Sequence, residues 1–470
     1  MIPLDYAQTL RELGALSPLG IQPGLDRMAE VLRRLGSPEQ RYPAVHIAGT
    51  NGKGSTSAYA ATIAQCAAQT AEQHHRRPYA IGLYTSPHLH RLTERIRFSQ
   101  AGQLTECPPS LFAEVVTEVF AAAAAEPKVA LTFFEVLTAA AFLLFARVPV
   151  DLAVIETGLG GRLDATRLCE PQATVVTSIG LDHMEWLGPT LAQIAAEKAG
   201  IFRRQVPALC AARDQAARTV LTEHARRLAA PLWLYPYHDE PTAQALPLLD
   251  DQLTALLPLA GAHQQLNASL AVSALSHVAG PLKPFLTDRA VVKEGLRATD
   301  WPGRIEQVIP TAEDYRRFAD REIILDAAHN PEGASALANW LHSAPPRPLT
   351  VLCGVVLGKL ATEMAAPLRA STTVLLCRPP TPRGLPAVEL AKLPAFAVGQ
   401  PIEDHQAALL TALAATPPGG RLLVYGSIFL VGAVRAALLN EPTDELLVQD
   451  PGRPATPPVA PTPPAPAARP

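Results

Sequence analysis

Lysine is scarce in this chain, with seven residues against 33 arginines among 470. Basic surface is therefore built from arginine, and a lysine inside a glycine-rich loop, such as Lys53, stands out. Cysteines at metal or redox spacing are missing. The six present (Cys66, Cys107, Cys169, Cys210, Cys353 and Cys377) form no zinc-ligand or dithiol pair, so no structural zinc is implied and they read as buried small residues in a reducing compartment. Long apolar runs are absent too. The longest uncharged one, Val136 to Ala146, has eleven residues, against the roughly 20 that a membrane span requires. Charge of one sign is lacking: the net charge is −3 with 18% charged residues, so neither nucleic acid nor an anionic membrane is an electrostatic partner. No Asn-Lys pair occurs, which excludes the base-reading motif of a regulatory P-loop switch. No internal repeat is visible, and the opening "MIPLDYAQTLRELGAL" has the pattern of an amphipathic helix rather than a signal peptide. These absences predict a cytoplasmic protein.

The length suits two or three domains with ample core. Strand-like apolar runs at Ala44–Ala48, Tyr79–Tyr84, Leu152–Glu156, Thr174–Ser178, Glu322–Asp326, Thr350–Cys353, Thr373–Cys377 and Arg421–Tyr425 alternate with helix-length patterns such as Phe134–Arg147. That alternation predicts an α/β fold of parallel sheets flanked by helices. The first series ends and a second begins around "GLRATDWPGRI", so the expected division is residues 1–297, then 298–440. Residues 441–470 are Pro/Ala-rich with nothing to bury, and are expected to be a disordered tail.

The stretch "YPAVHIAGTNGKGSTSAY" (residues 42–59) fails the Walker pattern, since Lys53 is followed by Gly54 rather than by Ser or Thr. Its architecture nonetheless suits a phosphate. A buried strand leads through Gly49, Thr50, Asn51, Gly52, Lys53 and Gly54 into a small-residue helix expected over Ser55 to Cys66. Backbone N–H groups at a helix N-terminus favour an anion, Lys53 adds a point charge, and the Ser55 hydroxyl is a candidate Mg²⁺ ligand. Three further strands end in groups that can meet a metal or a phosphate. "TSPHL" presents Ser86, "DLAVIETGLGGRLDAT" presents Glu156 in the manner of a Walker-B carboxylate, and "SIGLDHMEWLGPT" presents Asp182 and His183. Taken alone, "TSPHL" is a turn, Glu156 reads as readily as an acidic residue closing a strand, and a lone His is more often structural than a ligand. Together they occupy the edge where open α/β sheets bind ligands.

The motifs "HIAGTNGKGS", "TSPHL" followed by "ERI", "FFEVLTAAAF", "ETGLGGRLDAT", "SIGLDHMEWLGPTLAQIAAEKAGIF", "HQQLNASLA", "WPGR", "LDAAHNP" and "YGSIFLVG" run in order from about residue 20 to 435. As a set they resemble folylpolyglutamate synthase/dihydrofolate synthase, within the Mur ligase superfamily. The extra Gly54 is similar to that family's own variant of the phosphate loop.

The resemblance implies a P-loop-type, mostly parallel N-terminal sheet and a smaller Rossmann-like C-terminal domain. It implies an enzyme using ATP and Mg²⁺ to join L-glutamate to dihydropteroate or a reduced folate through an acyl phosphate, with a monomer sufficing. Carried onto matching positions, Ser86, Glu156 and His183 would hold Mg²⁺, with Ser55 near a second ion. Asn267, Arg304, Asp326 and His329 would contact ATP, the last three from the linker and second domain. Lys198, in "AAEKAGI", would be carbamylated and catalytic with Lys53 and His183. Gln22-Pro23, Phe133, Leu163 and Asp164 would line the pterin pocket. The pattern departs at Arg167, where the family usually has Asn, and at "LGKL" (357–360), where Asp-Lys-Asp is common. A different Mur-type ligase, acting on a peptidoglycan precursor, is the alternative.

Overall fold

The computed structural model describes residues 4–16, 19–237 and 242–444. Two sheets organise them. The first contains β1 (Ala44–Ala48), β2 (Ile81–Tyr84), β3 (Ile96–Gln100), β4 (Gln103–Glu106), β5 (Leu152–Glu156), β6 (Pro171–Val176), β7 (Ala208–Ala211), β8 (Leu232–Tyr235) and β9 (Gln244–Ala245). Their order is β4-β3-β2-β5-β1-β6-β7-β8-β9, parallel except for the β2-β3-β4 edge. The second sheet holds β10 (Glu306–Val308), β11 (Glu322–Asp326), β12 (Leu349–Cys353), β13 (Thr373–Leu376), β14 (Gln400–Pro401) and β15 (Arg421–Tyr425), ordered β10-β11-β15-β12-β13-β14. Only β10 runs antiparallel to its neighbour. The α/β architecture expected from the sequence is present.

Burial on both faces explains why β1 and β5 are almost wholly apolar. Along β1 the side chains alternate: Val45 and Ile47 pack under the helices Lys53–His75 and His263–Ser276, and Ala44 packs toward Phe133–Arg147. The polar exception, His46, is fully buried, and its Nε2 lies 2.9 Å from Thr166 Oγ1. Because β1 sits between β5 and β6, chain connections leave it and β6 in opposite directions. That switch point opens a crevice at the strands' C-terminal ends.

Several boundaries differ from expectation. The loop helix starts at Lys53 and runs to His75, rather than spanning Ser55 to Cys66, because an alanine-rich face continues to find buried neighbours. The strand expected at Thr174–Ser178 is Pro171–Val176, and Thr177 and Ser178 instead bond to the phosphate loop. The tail expected from residue 441 does not begin there. Asp444 bonds to His90, Leu92 and Tyr6, so residues 441–444 are fixed; residues 445–470 lie outside the described residues.

Candidate active site

The loop between β1 and its helix is tied to the end of β6. Thr50 N donates to Ser178 O at 2.9 Å, Asn51 N to Ser178 Oγ at 3.0 Å, and Thr177 Oγ1 to Asn51 O at 2.6 Å. Gly52 adopts φ +87°, and a Cβ there would lie 2.4 Å from Asn267 Oδ1, which puts Asn267 against the loop. Gly54 has a different constraint. A Cβ on it would fall 2.7 Å from the indole nitrogen of Trp301, so the "WPGR" segment occupies the space that the usual Walker hydroxyl would need. The hydroxyl is therefore displaced to Ser55, whose Oγ lies 3.4 Å from Gln264 Nε2. Gly54→Ser, which would restore the common pattern, is expected to destabilise the protein by about 1–3 kcal/mol through overpacking, read as a lower Tm in thermal unfolding. An unchanged Tm would show that Trp301 yields freely.

Two lysines converge on this loop. Lys53 Nζ folds back on Gly49 O (3.2 Å) and Thr50 O (3.4 Å), and Lys198 Nζ, in the last turn of Leu191–Ala199, donates to Gly49 O at 2.8 Å. Lys198 is buried. That burial, reinforced by the nearby Lys53 charge, brings its pKa down to about 7. Opposite them stands Glu156 at the end of β5, also buried, accepting from Ser86 N at 3.2 Å. Burial pushes its pKa up to about 7, against the pull of Lys53, Arg304 and Arg95 acting through space. A buried carboxylate satisfied by one backbone N–H has capacity left for a cation. Among the described residues no three His, Cys, Asp or Glu side chains gather to hold a metal by themselves. The available donors, Glu156, His183 and the hydroxyls of Ser86 and Ser55, form a sparse, mainly oxygen set. That fits an ion such as Mg²⁺, which keeps waters and takes substrate phosphate oxygens.

The second sheet closes over the loop. Asp326, at the end of β11, accepts from Ala328 N (2.8 Å) and Ile305 N (2.9 Å), with Arg304 nearby. His329 lies with Nδ1 2.9 Å from Ala327 O and Nε2 3.3 Å from Asp182 Oδ2. Asp182 also pairs with Lys359 at 2.5 Å and accepts from Asn330 at 3.2 Å. Burial would raise its pKa, but the His329 hydrogen bond and the charges of His329, Lys359 and His183 hold it well below the usual carboxylate range. Asn51 exchanges bonds with Asn330 and gives one to Glu332 at 2.7 Å. Lys359, Asn330, Glu332 and Gln264 were not among the residues read from the sequence. Lys359 had a signal, being one of so few lysines and the one residue of "LGKL" that matches the family pattern.

At the other end the loop around Gln22-Pro23 is braced from behind. Arg27 Nη2 donates to Gln22 O at 2.6 Å and pairs with Glu135 at 3.0 Å. Glu135 in turn completes a reciprocal cap with Thr132 at the start of the Phe133–Arg147 helix, which fixes Phe133 beneath the Arg95 guanidinium. Leu163 is partly exposed on the same wall. Asp164, on the same wall, also has a part within its own loop. Its carboxylate accepts from Leu159 N (2.8 Å) and Thr166 N (3.0 Å), so it shapes the loop bearing Leu163. All of the candidate site residues read from the sequence line one cleft of about 1700 Å³. A single small-molecule site occupies roughly 300–1,000 Å³, so this cleft has room for more than one ligand.

A phosphate loop at a sheet switch point, facing a second α/β unit across a multi-ligand cleft, is the arrangement of a Mur-type ligase. The Mur ligase middle domain matches residues 109–275, and the Mur ligase glutamate ligase domain matches 307–428. A dihydrofolate synthase/folylpolyglutamate synthase of Bacillus subtilis is 37% identical over 68% of this chain and 73% of its own length. Among solved structures, Escherichia coli FolC in complex with DHPP and ADP aligns with a TM-score of 0.74 at 29% identity, covering 92% of this chain and 97% of that one. The Yersinia pestis folylpolyglutamate synthase/dihydrofolate synthase complexed with AMPPNP and Mn aligns with a TM-score of 0.75 at 28% identity, covering 93% and 98%. The chain belongs to the folylpolyglutamate synthase/dihydrofolate synthase family. No helix among the described residues is long and apolar enough to cross a membrane.

Proposed function

We propose that this chain is an ATP-dependent ligase that joins the amino group of L-glutamate to the carboxylate of dihydropteroate or a reduced folate. The observation that carries the reading is the single cleft in which the phosphate loop, Glu156, Lys198 and the second domain's Asp326 and His329 face one another. A carboxylate oxygen of the acid attacks the γ-phosphorus and ADP leaves. The glutamate amine then attacks the acyl carbon and phosphate leaves. Lys53 and the loop N–H groups spread the charge of the transferring phosphoryl, and the apposed domains exclude water from the acyl phosphate. A divalent cation, Mg²⁺ on this reading, would be held by Glu156, His183 and Ser86, with Ser55 near a second, and would neutralise phosphate charge. Asn267, Arg304, Asp326 and His329 bind the nucleotide. Gln22, Pro23, Phe133 and Leu163 form the pterin wall, and Asp164 supports it. Lys198 acts as its carbamate.

The similarity to FolC enzymes favours a pterin-linked acid over a peptidoglycan precursor. Six free cysteines, five of them buried, support a reducing, cytoplasmic compartment, and a monomer would suffice for this architecture. We place the domain division near residue 298, between the last helix packed on the first sheet and β10. The test is ADP release with purified protein, ATP, Mg²⁺ and glutamate, comparing dihydropteroate, tetrahydrofolate and a peptidoglycan precursor. Turnover only with the pterin acids is expected, and turnover with the peptidoglycan precursor alone would reassign the substrate.

Because the assigned nucleotide contacts come from both sides of that division, an ATP analogue with Mg²⁺ should favour a closed arrangement of the two domains. Small-angle scattering is expected to show a smaller radius of gyration with the analogue than without it. An unchanged radius would remove Asp326 and His329 from the nucleotide site.

A further inference from the structure

The chain segment that follows the last helix, Ile428–Leu439, does not stay on its own domain. It crosses to the first domain and grips the loop after β2. Asp444 Oδ2 accepts from Leu92 N (2.6 Å) and from Tyr6 OH (2.7 Å), while Asp444 N donates to His90 O (2.9 Å). Arg91 Nη1 donates to Pro442 O at 3.3 Å, and Glu441 lies 3.0 Å from His90 Nδ1. The preceding helix touches the same loop: a Cβ on Gly432 would sit 2.4 Å from Leu89 O, and the Leu89 side chain packs against the second domain's core. Four consecutive residues, Leu89 to Leu92, are thus held by the C-terminal element. Within the loop, Glu94 accepts the N–H groups of Leu89, His90 and Arg91, and Thr85 N bonds to Arg95 O, so the whole Thr85–Arg95 turn is one stiff piece. Its near end is Ser86, whose N–H is the hydrogen-bond donor to Glu156.

We propose that Asp444 is a positioning residue for the ligase reaction. By clamping Leu92 and His90 it fixes the Thr85–Arg95 loop, and through it the Ser86–Glu156 end of the cleft. The inference rests on the reading of that end as the metal and phosphate site. Both side-chain bonds land on one Asp444 oxygen, so an amide oxygen in the same place keeps both acceptor contacts while removing the charge. This separates the bonds from the charge.

The test is Mg²⁺ titration of turnover at saturating ATP, with backbone hydrogen exchange of residues 85–95 measured on the full chain. In Asp444→Ala the Mg²⁺ half-saturation is expected to rise about tenfold, the consequence of losing two part-buried acceptor contacts, with kcat at saturating Mg²⁺ changed by less than roughly twofold. Exchange across the loop should accelerate. Asp444→Asn should restore both readouts, and Tyr6→Phe, which deletes a single hydroxyl, should move the half-saturation the same way by about two- to threefold. Tyr6→Phe keeps the test decisive if Asp444→Ala does not fold. Faster exchange with unchanged Mg²⁺ dependence, or an Asp444→Asn variant no better than Asp444→Ala, overturns the proposal while leaving the ligase reading intact. Wild-type protein that shows no glutamate-dependent ADP release overturns the ligase reading instead.

Discussion

Lys53→Ala is expected to reduce kcat by about a hundredfold to a thousandfold, the range seen when one donor to a developing transition-state charge is removed. Fold stability should hardly change. Lys53 makes two long contacts to carbonyls of its own loop, at 3.2 and 3.4 Å. At that length, near the limit for a hydrogen bond, each contributes no more than the ordinary net value of about 0.5–1.5 kcal/mol. The ammonium is nevertheless one of only two lysine groups on the phosphate loop, and the transferring phosphoryl is where its charge counts. Steady-state kinetics beside a thermal melt separates these effects. Retention of more than about a tenth of wild-type kcat, a loss below roughly 1.4 kcal/mol, would mean that the loop is not catalytic.

Lys198 carries the second large effect. A buried ammonium beside Lys53 adds positive charge to a site already rich in it, and has no lone pair with which to meet a metal. The same burial that lowers its pKa to about 7 makes the neutral amine available near neutral pH, and the neutral amine is the form that attacks CO₂. Carbamylation reverses the charge and supplies oxygens. Lys198→Ala and Lys198→Arg should each lose most activity, by about a hundredfold for a missing charge-stabilising group. Short carboxylic acids should partly restore the alanine variant by filling the vacated space. The direction of the pH effect follows from the lowered pKa. Below about pH 7 the amine is protonated and cannot be carbamylated, so enzyme stripped of CO₂ should regain activity on adding bicarbonate faster at pH 8 than at pH 6. Carbon-13 NMR with labelled bicarbonate should show a carbamate signal that Lys198→Arg lacks. Near-normal kcat in either variant would make Lys198 an ordinary helix-end lysine.

What could be read in the sequence was what local chemistry marks. Gly49-Thr50-Asn51-Gly52-Lys53, Glu156 closing β5, and Ser86 after β2 each combine a strand end with a group suited to phosphate or metal, and all line the cleft. The buried parallel strands were legible because burial on both faces enforces continuous apolar runs. The β3–β4 hairpin was not, since Ile96–Gln100 and Gln103–Glu106 carry Arg, Ser, Gln and Glu on an edge where one side meets solvent. Lys359 and Asn330 owe their positions to partners more than a hundred residues away, Asp182 and Asn51, and no short-range pattern encodes such a meeting. Asp444 is the clearest case. It sits at the edge of a Pro/Ala-rich stretch whose composition predicts disorder, yet three hydrogen bonds to Tyr6, His90 and Leu92 hold it. Composition describes what a segment can bury, and Asp444 is held by what it can accept and donate. Asp164, a carboxylate marked by its motif, lines the cleft and also accepts from the N–H groups of its own loop, a second part that the motif does not reveal.

The central claim is that this cleft makes an acyl phosphate, and the fate of one oxygen tests it most directly. Dihydropteroate or tetrahydrofolate labelled with oxygen-18 in the reacting carboxylate should be turned over with ATP, Mg²⁺ and glutamate, and the released inorganic phosphate analysed by mass spectrometry. If the carboxylate attacks the γ-phosphorus before the amine displaces phosphate, one labelled oxygen appears in phosphate for each amide formed. Phosphate free of label while amide accumulates would contradict the account, since the carboxylate would then have been activated without ever being phosphorylated.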